Sequence, residues 1–172
     1  LDDLLTAMKE ANAGDIVIVS GFRTYNYQQN LLNEEVKLHL RNGLGEEEAN
    51  AKALQLVARP GRSEHNYGYA IDFSASENGN LLSENFENTT QGEWLINNSW
   101  KYGYILRYAL DKVDITGINY EPWHYRYVGY PHSAVMKKMN LSLEEYIHYI
   151  IDNKSINAFM NNDSEYYIYY VD

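Results

Sequence analysis

Ser63-Glu64-His65-Asn66-Tyr67-Gly68-Tyr69-Ala70-Ile71-Asp72 is the stretch of this chain that departs most from what a globular core would choose. A histidine on a loop is followed by a glycine that permits a tight bend, and then by an aspartate inside an otherwise apolar strand. An aspartate between Ile71 and Phe73 is costly to bury alone, so it calls for a cation or for several hydrogen-bond donors. A metal ion would supply the cation.

Two further segments place polar residues where a core would want apolar ones. Glu121-Pro122-Trp123-His124 sets a carboxylate and an imidazole three residues apart, beside a proline that excludes a helix interior. Positions three apart on an ideal strand face opposite sides, so convergence of Glu121 and His124 requires a turn or a bulge between them. The other segment, Ser20 to Gln29, carries Arg23 and Thr24 at a strand-to-helix junction. Together, His65, Asp72 and His124 would offer two nitrogens and one oxygen and leave a fourth position to water, the catalytic form of a zinc site. Glu121, beside the ion but unligated, could take the proton from that water and pass it to a leaving amine. Arg23 could face the oxyanion of an attacked carbonyl or bind a substrate carboxylate; its plainer reading is an ion pair that fastens the turn.

The rest of the chain reads as a single α+β domain. Leu1, Leu4, Leu5, Met8 and Ala11 recur at helical spacing up to Gly14, and Ile16 to Val19 form a β-branched run that predicts a buried strand. Helices are expected over about 26–41 and 46–57, the second opened by Glu46, Glu47 and Glu48 at the positive end of its dipole. A strand follows over 69–73, then a polar surface excursion over 74–88. Thr90-Gln91-Gly92-Glu93 has the spacing of a capping box for a helix that Gly103 ends. Strands are expected over 104–108 and 123–128, and Ser142-Leu143-Glu144-Glu145 caps a helix running to about Asp152. The aromatic tail from Tyr166 to Val171 has the pattern of an edge strand.

Composition narrows the chemistry. The 172 residues carry 14 basic and 24 acidic side chains, a net charge of −10, so a nucleic acid or an anionic membrane surface would be repelled. With no cysteine there is no disulfide, no thiolate nucleophile and no Cys-type zinc site, so any metal falls to His, Asp or Glu. No apolar run approaches the ~18 residues that cross a bilayer, and no membrane insertion by this chain is expected. Of the five histidines, His39, His132 and His148 lack a comparable carboxylate arrangement and read as surface or interface residues. Seventeen tyrosines suit a polar ligand groove as well as a core.

These residues also carry a family resemblance. Ser-x-His-x-x-Gly-x-Ala-x-Asp at 63–72, Glu-x-Trp-His at 121–124, Ser-Gly-Phe-Arg-Thr with Gln28 at 20–28, and Tyr-Gly-Tyr-Ile-Leu-Arg-Tyr at 102–108 resemble the VanY-type D-alanyl-D-alanine carboxypeptidases. That group also holds the VanXY bifunctional enzymes and the L,D-carboxypeptidases. The resemblance covers about residues 1–151 and implies the Hedgehog/DD-peptidase fold, a small antiparallel sheet flanked by helices. It implies a zinc metallopeptidase with one ion per chain on His65, Asp72 and His124, the catalytic base on Glu121, and substrate contact by Arg23. Ser63 and Gln28 would help hold the terminal carboxylate. Read from the residues alone, Tyr67 could line the groove or pack in the core, and Trp123 reads first as packing that holds His124 in place and only second as a substrate contact. The implied reaction removes the C-terminal D-Ala from a peptidoglycan stem peptide, outside the membrane and linked to glycopeptide resistance. The same motifs fit an L,D-carboxypeptidase, a bifunctional dipeptidase and carboxypeptidase working in the cytoplasm, or a non-catalytic zinc-containing wall-binding module. Asn66 and Tyr67 stand where many members have Gln and Thr. Residues 152–172 extend beyond minimal members and are expected to pack on the same domain, and the whole is expected to be a monomer.

Overall fold

The structure, a computed structural model, describes residues 1–159 and 165–171. Its main sheet has four strands in the order β1-β2-β4-β3, with every neighbouring pair antiparallel: β1 Val17–Ser20, β2 Ala70–Ser74, β3 Tyr104–Leu106 and β4 His124–Tyr127. Helices α1 Asp2–Glu10, α2 Tyr25–Arg41, α3 Glu46–Ala53, α4 Thr90–Asn98, α5 Val113–Thr116, α6 His132–Met139 and α7 Leu143–Asn153 complete this part of the chain, an α+β architecture as the sequence implies.

Strand alternation separates the two jobs of the sheet. Ile71 and Phe73 of β2 and Tyr125 of β4 join Leu4 and Met8 of α1, Leu95 of α4 and Phe86 in one buried cluster. Successive side chains on a strand point to opposite faces, so Asp72 and His124 are turned away from that cluster. They are cross-strand partners in the β2–β4 register, and this is what sets the two polar groups side by side.

Several local expectations are corrected. The run Ile16 to Val19 is not a buried strand: β1 sits at the sheet's edge with β2 as its only neighbour among the described residues, and Ile18 and Val19 are 46% and 41% exposed. β-Branched content marks a strand but does not say how many faces are covered. The stretch 74–88 is more than a surface excursion, because Phe86 is fully buried and Asn78 nearly so. The cap of α4 is Thr89, whose hydroxyl accepts from the Gly92 amide, one residue before the box read from the sequence. The Ser142 capping box is present with both hydrogen bonds. The tail strand β6, Glu165–Tyr169, pairs with an unforeseen β5, Ser155–Phe159, in a two-stranded sheet of its own. Ile168 of β6 packs with Ile105, Val135, Met136 and Tyr146, so the hairpin lies against β3, α6 and α7. Residues 160–164 and 172 of the expected extension fall outside the described residues.

Candidate functional site

His65 is set by a single 3₁₀ turn, Glu64–Tyr67, which Gly68 closes in the left-handed region at φ 71° before the chain enters β2. A side chain at position 68 would be strained there, which explains a glycine at this point of the motif. The turn is laced to the loop after β1. The His65 Nδ1 lies 2.7 Å from the Gly21 carbonyl oxygen, the Arg23 amide donates to the His65 carbonyl, and the Asn66 side chain donates to the Arg23 carbonyl. With its Nδ1 proton given to Gly21, His65 turns Nε2 toward Asp72 Oδ2 at 3.2 Å.

Glu121 and His124 converge through the turn that their spacing required. The His124 amide donates to the Glu121 carbonyl at 3.1 Å, closing a four-residue turn with Pro122 at its second position, where proline's fixed φ is favoured. Their side chains then share one side, with His124 Nδ1 3.7 Å from Glu121 Oε2 and 3.0 Å from Asp72 Oδ1. One ligand-type atom from each of His65, Asp72 and His124 lies within 4.8 Å of the others, and all three residues are buried. His65 Nε2 is buried with no hydrogen-bond partner, as a nitrogen reserved for an ion would be. The donor set and the orphaned nitrogen fit a single zinc ion.

Charge is concentrated here. Burial works to raise the Asp72 carboxyl, but His124, hydrogen-bonded to it, and the nearby His65 outweigh burial and hold the group well below the usual carboxylate range. Burial opposes a charge on His124, yet Asp72 and Glu64 bring it up to about 9. Glu121 goes the other way: burial, with Asp72 and Glu64 adding repulsion against the pull of His124 and Arg23, pushes it up to about 8. A carboxylate poised near neutrality is suited to accept and return a proton.

These groups open onto one groove of about 440 Å³, lined near the cluster by Arg23, Ser63, Tyr108 and Trp123 and farther out by one face of α2. Arg23 reaches Asp72 in an ion pair, and its Nε donates to Ser20 Oγ at 2.7 Å. Gln28 is buried, with its amide donating to the Ala58 carbonyl and its oxygen facing Arg23 Nη1 at 3.5 Å. Ser63 and Trp123 are buried at the groove wall. Tyr67 is not brought to the groove: it is 61% exposed, stacks on Tyr69 and donates to the Gly61 carbonyl. His39 has an acidic neighbour after all, Glu35 one helical turn earlier at 3.4 Å.

Sequence reasoning passed over Glu64, Arg107 and Glu144. Arg107 Nε donates to Glu64 Oε1 at 2.7 Å and its Nη1 donates to Glu144 Oε2 at 3.0 Å. Burial works against the charge on Glu64, but His124 and Arg107 hold its carboxyl down to about 2. The available signal was Arg107 itself, a permanent charge directly after the short strand Tyr104–Leu106, which needs a carboxylate when buried.

Known proteins are similar to this chain in sequence and fold. The family described as VanY, D-alanyl-D-alanine carboxypeptidase, matches residues 1–130. A D-alanyl-D-alanine carboxypeptidase of Enterococcus faecium is 40% identical over 154 residues, covering 90% of this chain and 43% of its own. The chain thus spans less than half the length of that relative. Among solved structures, a vancomycin resistance D,D-pentapeptidase VanY in complex with Zn(II) is 37% identical with a TM-score of 0.74, over 85% of this chain and 78% of that one. The D,D-dipeptidase VanXYg in complex with a D-Ala-D-Ala phosphinate analogue is 33% identical with a TM-score of 0.79, over 99% of this chain and 66% of that one.

Proposed function

Since the chain belongs to the VanY D-alanyl-D-alanine carboxypeptidase family, we propose that it is a zinc-dependent D,D-carboxypeptidase that removes the terminal D-Ala from peptidoglycan stem peptides. The observation that carries this reading is the convergence of His65, Asp72 and His124 with Glu121 in one groove. A zinc ion held by those three ligands would supply Lewis acidity toward the attacking water and the scissile carbonyl. Glu121 accepts the proton from that water and delivers it to the departing D-Ala amine. Arg23 lines the groove and is ion-paired with Asp72 of the cluster, and it faces the substrate's terminal carboxylate or the charge growing on the carbonyl oxygen. Gln28 acts by holding Arg23, while Ser63 and Trp123 form the wall against which the peptide end lies. Polymerised wall lies outside the membrane, so an extracytoplasmic site of action, and a contribution to glycopeptide resistance, come with this reading. The molecule is proposed to act as a monomer.

Zinc-loaded protein is expected to release D-Ala from a pentapeptide ending in D-Ala-D-Ala and to leave the same peptide ending in L-Ala intact, with alanine quantified by enzymatic assay. Release from a tetrapeptide alone would make it an L,D-carboxypeptidase, and no release from any peptide would leave a wall-binding module. A second reading has one observation in its favour: the VanXYg alignment extends over 99% of this chain, tail included. Free D-Ala-D-Ala therefore belongs in the same assay, and its hydrolysis would assign the dipeptidase activity as well.

A further inference from the structure

The largely buried Glu64 carboxylate has one oxygen fully engaged and one aimed at the cluster. Oε1 accepts from Arg107 Nε at 2.7 Å and lies 3.1 Å from Arg126 Nη1. Oε2 is buried with no hydrogen-bond partner, and 3.5 Å away is His124 Nε2, also buried and also without one. Two orphaned buried atoms of complementary type that face each other are a donor and acceptor pair held just short of contact. The opposite nitrogen of the same ring, Nδ1, faces Asp72 Oδ1 at 3.0 Å. An imidazole that gives the proton of one nitrogen to a carboxylate keeps the lone pair of the other for a metal and is locked in ring orientation.

Resting on the zinc reading above, we propose that Glu64 is a positioning residue for His124: it holds the ring proton on Nε2 and thereby presents Nδ1 to the metal. The role assigned to Glu64 is exerted through His124 and not through contact with substrate. It is itself clamped by Arg107, whose other face is taken by Glu144 in the first turn of α7, so the ring orientation is tied to the docking of that helix. A carboxylate needed only to neutralise two arginines would have no reason to turn its second oxygen, buried, toward an imidazole.

Glutamine is nearly isosteric but has one acceptor only. In Glu64→Gln the two arginines take that oxygen, the NH₂ turns toward His124, and the ring is driven to the wrong tautomer. Zinc affinity, measured by chelator competition at pH 8, is expected to fall roughly 10–100-fold in Glu64→Gln and in Glu64→Leu. In wild-type protein loaded with zinc, two-bond ¹H–¹⁵N correlation spectra should show His124 protonated at Nε2, and His65 at Nδ1 through its bond to Gly21. A purely structural Glu64 would leave the glutamine variant's zinc affinity within twofold of the wild type, and that result overturns the assignment. So does a zinc-loaded wild type whose His124 carries its proton on Nδ1, a measurement that holds even if the leucine variant does not fold. Failure of the wild type to take up zinc would instead sink the metal site itself, and Glu64's role with it.

Discussion

Glu121→Gln is expected to lower D-Ala release by about 10²–10⁴-fold and to leave zinc affinity unchanged, because the substitution removes a proton acceptor while retaining shape and ligands. A second consequence separates this from general damage. Glu121 is 4% exposed and its carboxyl is pushed up to about 8 by burial, from an ordinary 4.5. Between those values the unfolded chain has lost this proton and the folded chain keeps it, so the group's contribution to stability falls as pH rises and is lowest above 8. A neutral amide carries no such liability. The variant should therefore be more stable than the wild type at neutral and alkaline pH, with the difference in urea midpoint growing from pH 5 to pH 8. Slower and more stable together is the signature of a buried group kept for chemistry. A variant with normal turnover would remove Glu121 from the mechanism.

Asp72→Ala carries the largest expected loss of stability in the metal-free protein. Asp72 is 1% exposed and is the anion on which Arg23, His65 and His124 converge. Deleting one partner of a buried ion pair leaves the other uncompensated, at a typical cost of about 3–5 kcal/mol, and His124 Nδ1 loses its acceptor as well. Arg23 keeps 14% exposure, so the lower end of that range is expected, read as a drop in urea midpoint without a change in slope. Zinc binding should weaken by more than the roughly 10–100-fold typical of removing an outer-shell partner, since a ligand itself is gone. An Asp72→Ala protein that is as stable as the wild type and binds zinc normally would mean that this aspartate is neither the counter-ion nor the ligand.

The site was more legible in the sequence than the fold around it. His65, Asp72, Glu121 and His124 stood out because each is a polar group where local pattern calls for an apolar one, and burial without a partner is expensive enough that such exceptions rarely occur without reason. The turn between Glu121 and His124 followed from strand geometry, since the two could not otherwise meet. What stayed hidden depends on contacts distant in sequence. Glu64 is 43 residues from Arg107, and Arg107 is 37 from Glu144, so no spacing rule joins them. Gln28 reads as an available amide, yet Ala58 and Arg23 occupy it. The exposure of Ile18 and Val19 follows from β1 lying at an edge, a fact of topology and not of composition. Helix α6 begins beside Pro131 with no side-chain cap bond, so it did not announce itself.

Two imidazoles and one aspartate bind a single zinc ion, and calorimetric titration of metal-stripped protein reads that binding without reference to turnover. Ligation needs a neutral His124, whose pKa is raised to about 9 in the metal-free protein, so zinc must displace a proton below that pH. The titration should give one ion per chain, proton release visible as a dependence of the heat on buffer, and an affinity that climbs roughly tenfold per pH unit from pH 6 to pH 8. The absence of saturable binding, or binding of equal strength at both pH values, would contradict zinc ligation by these three residues.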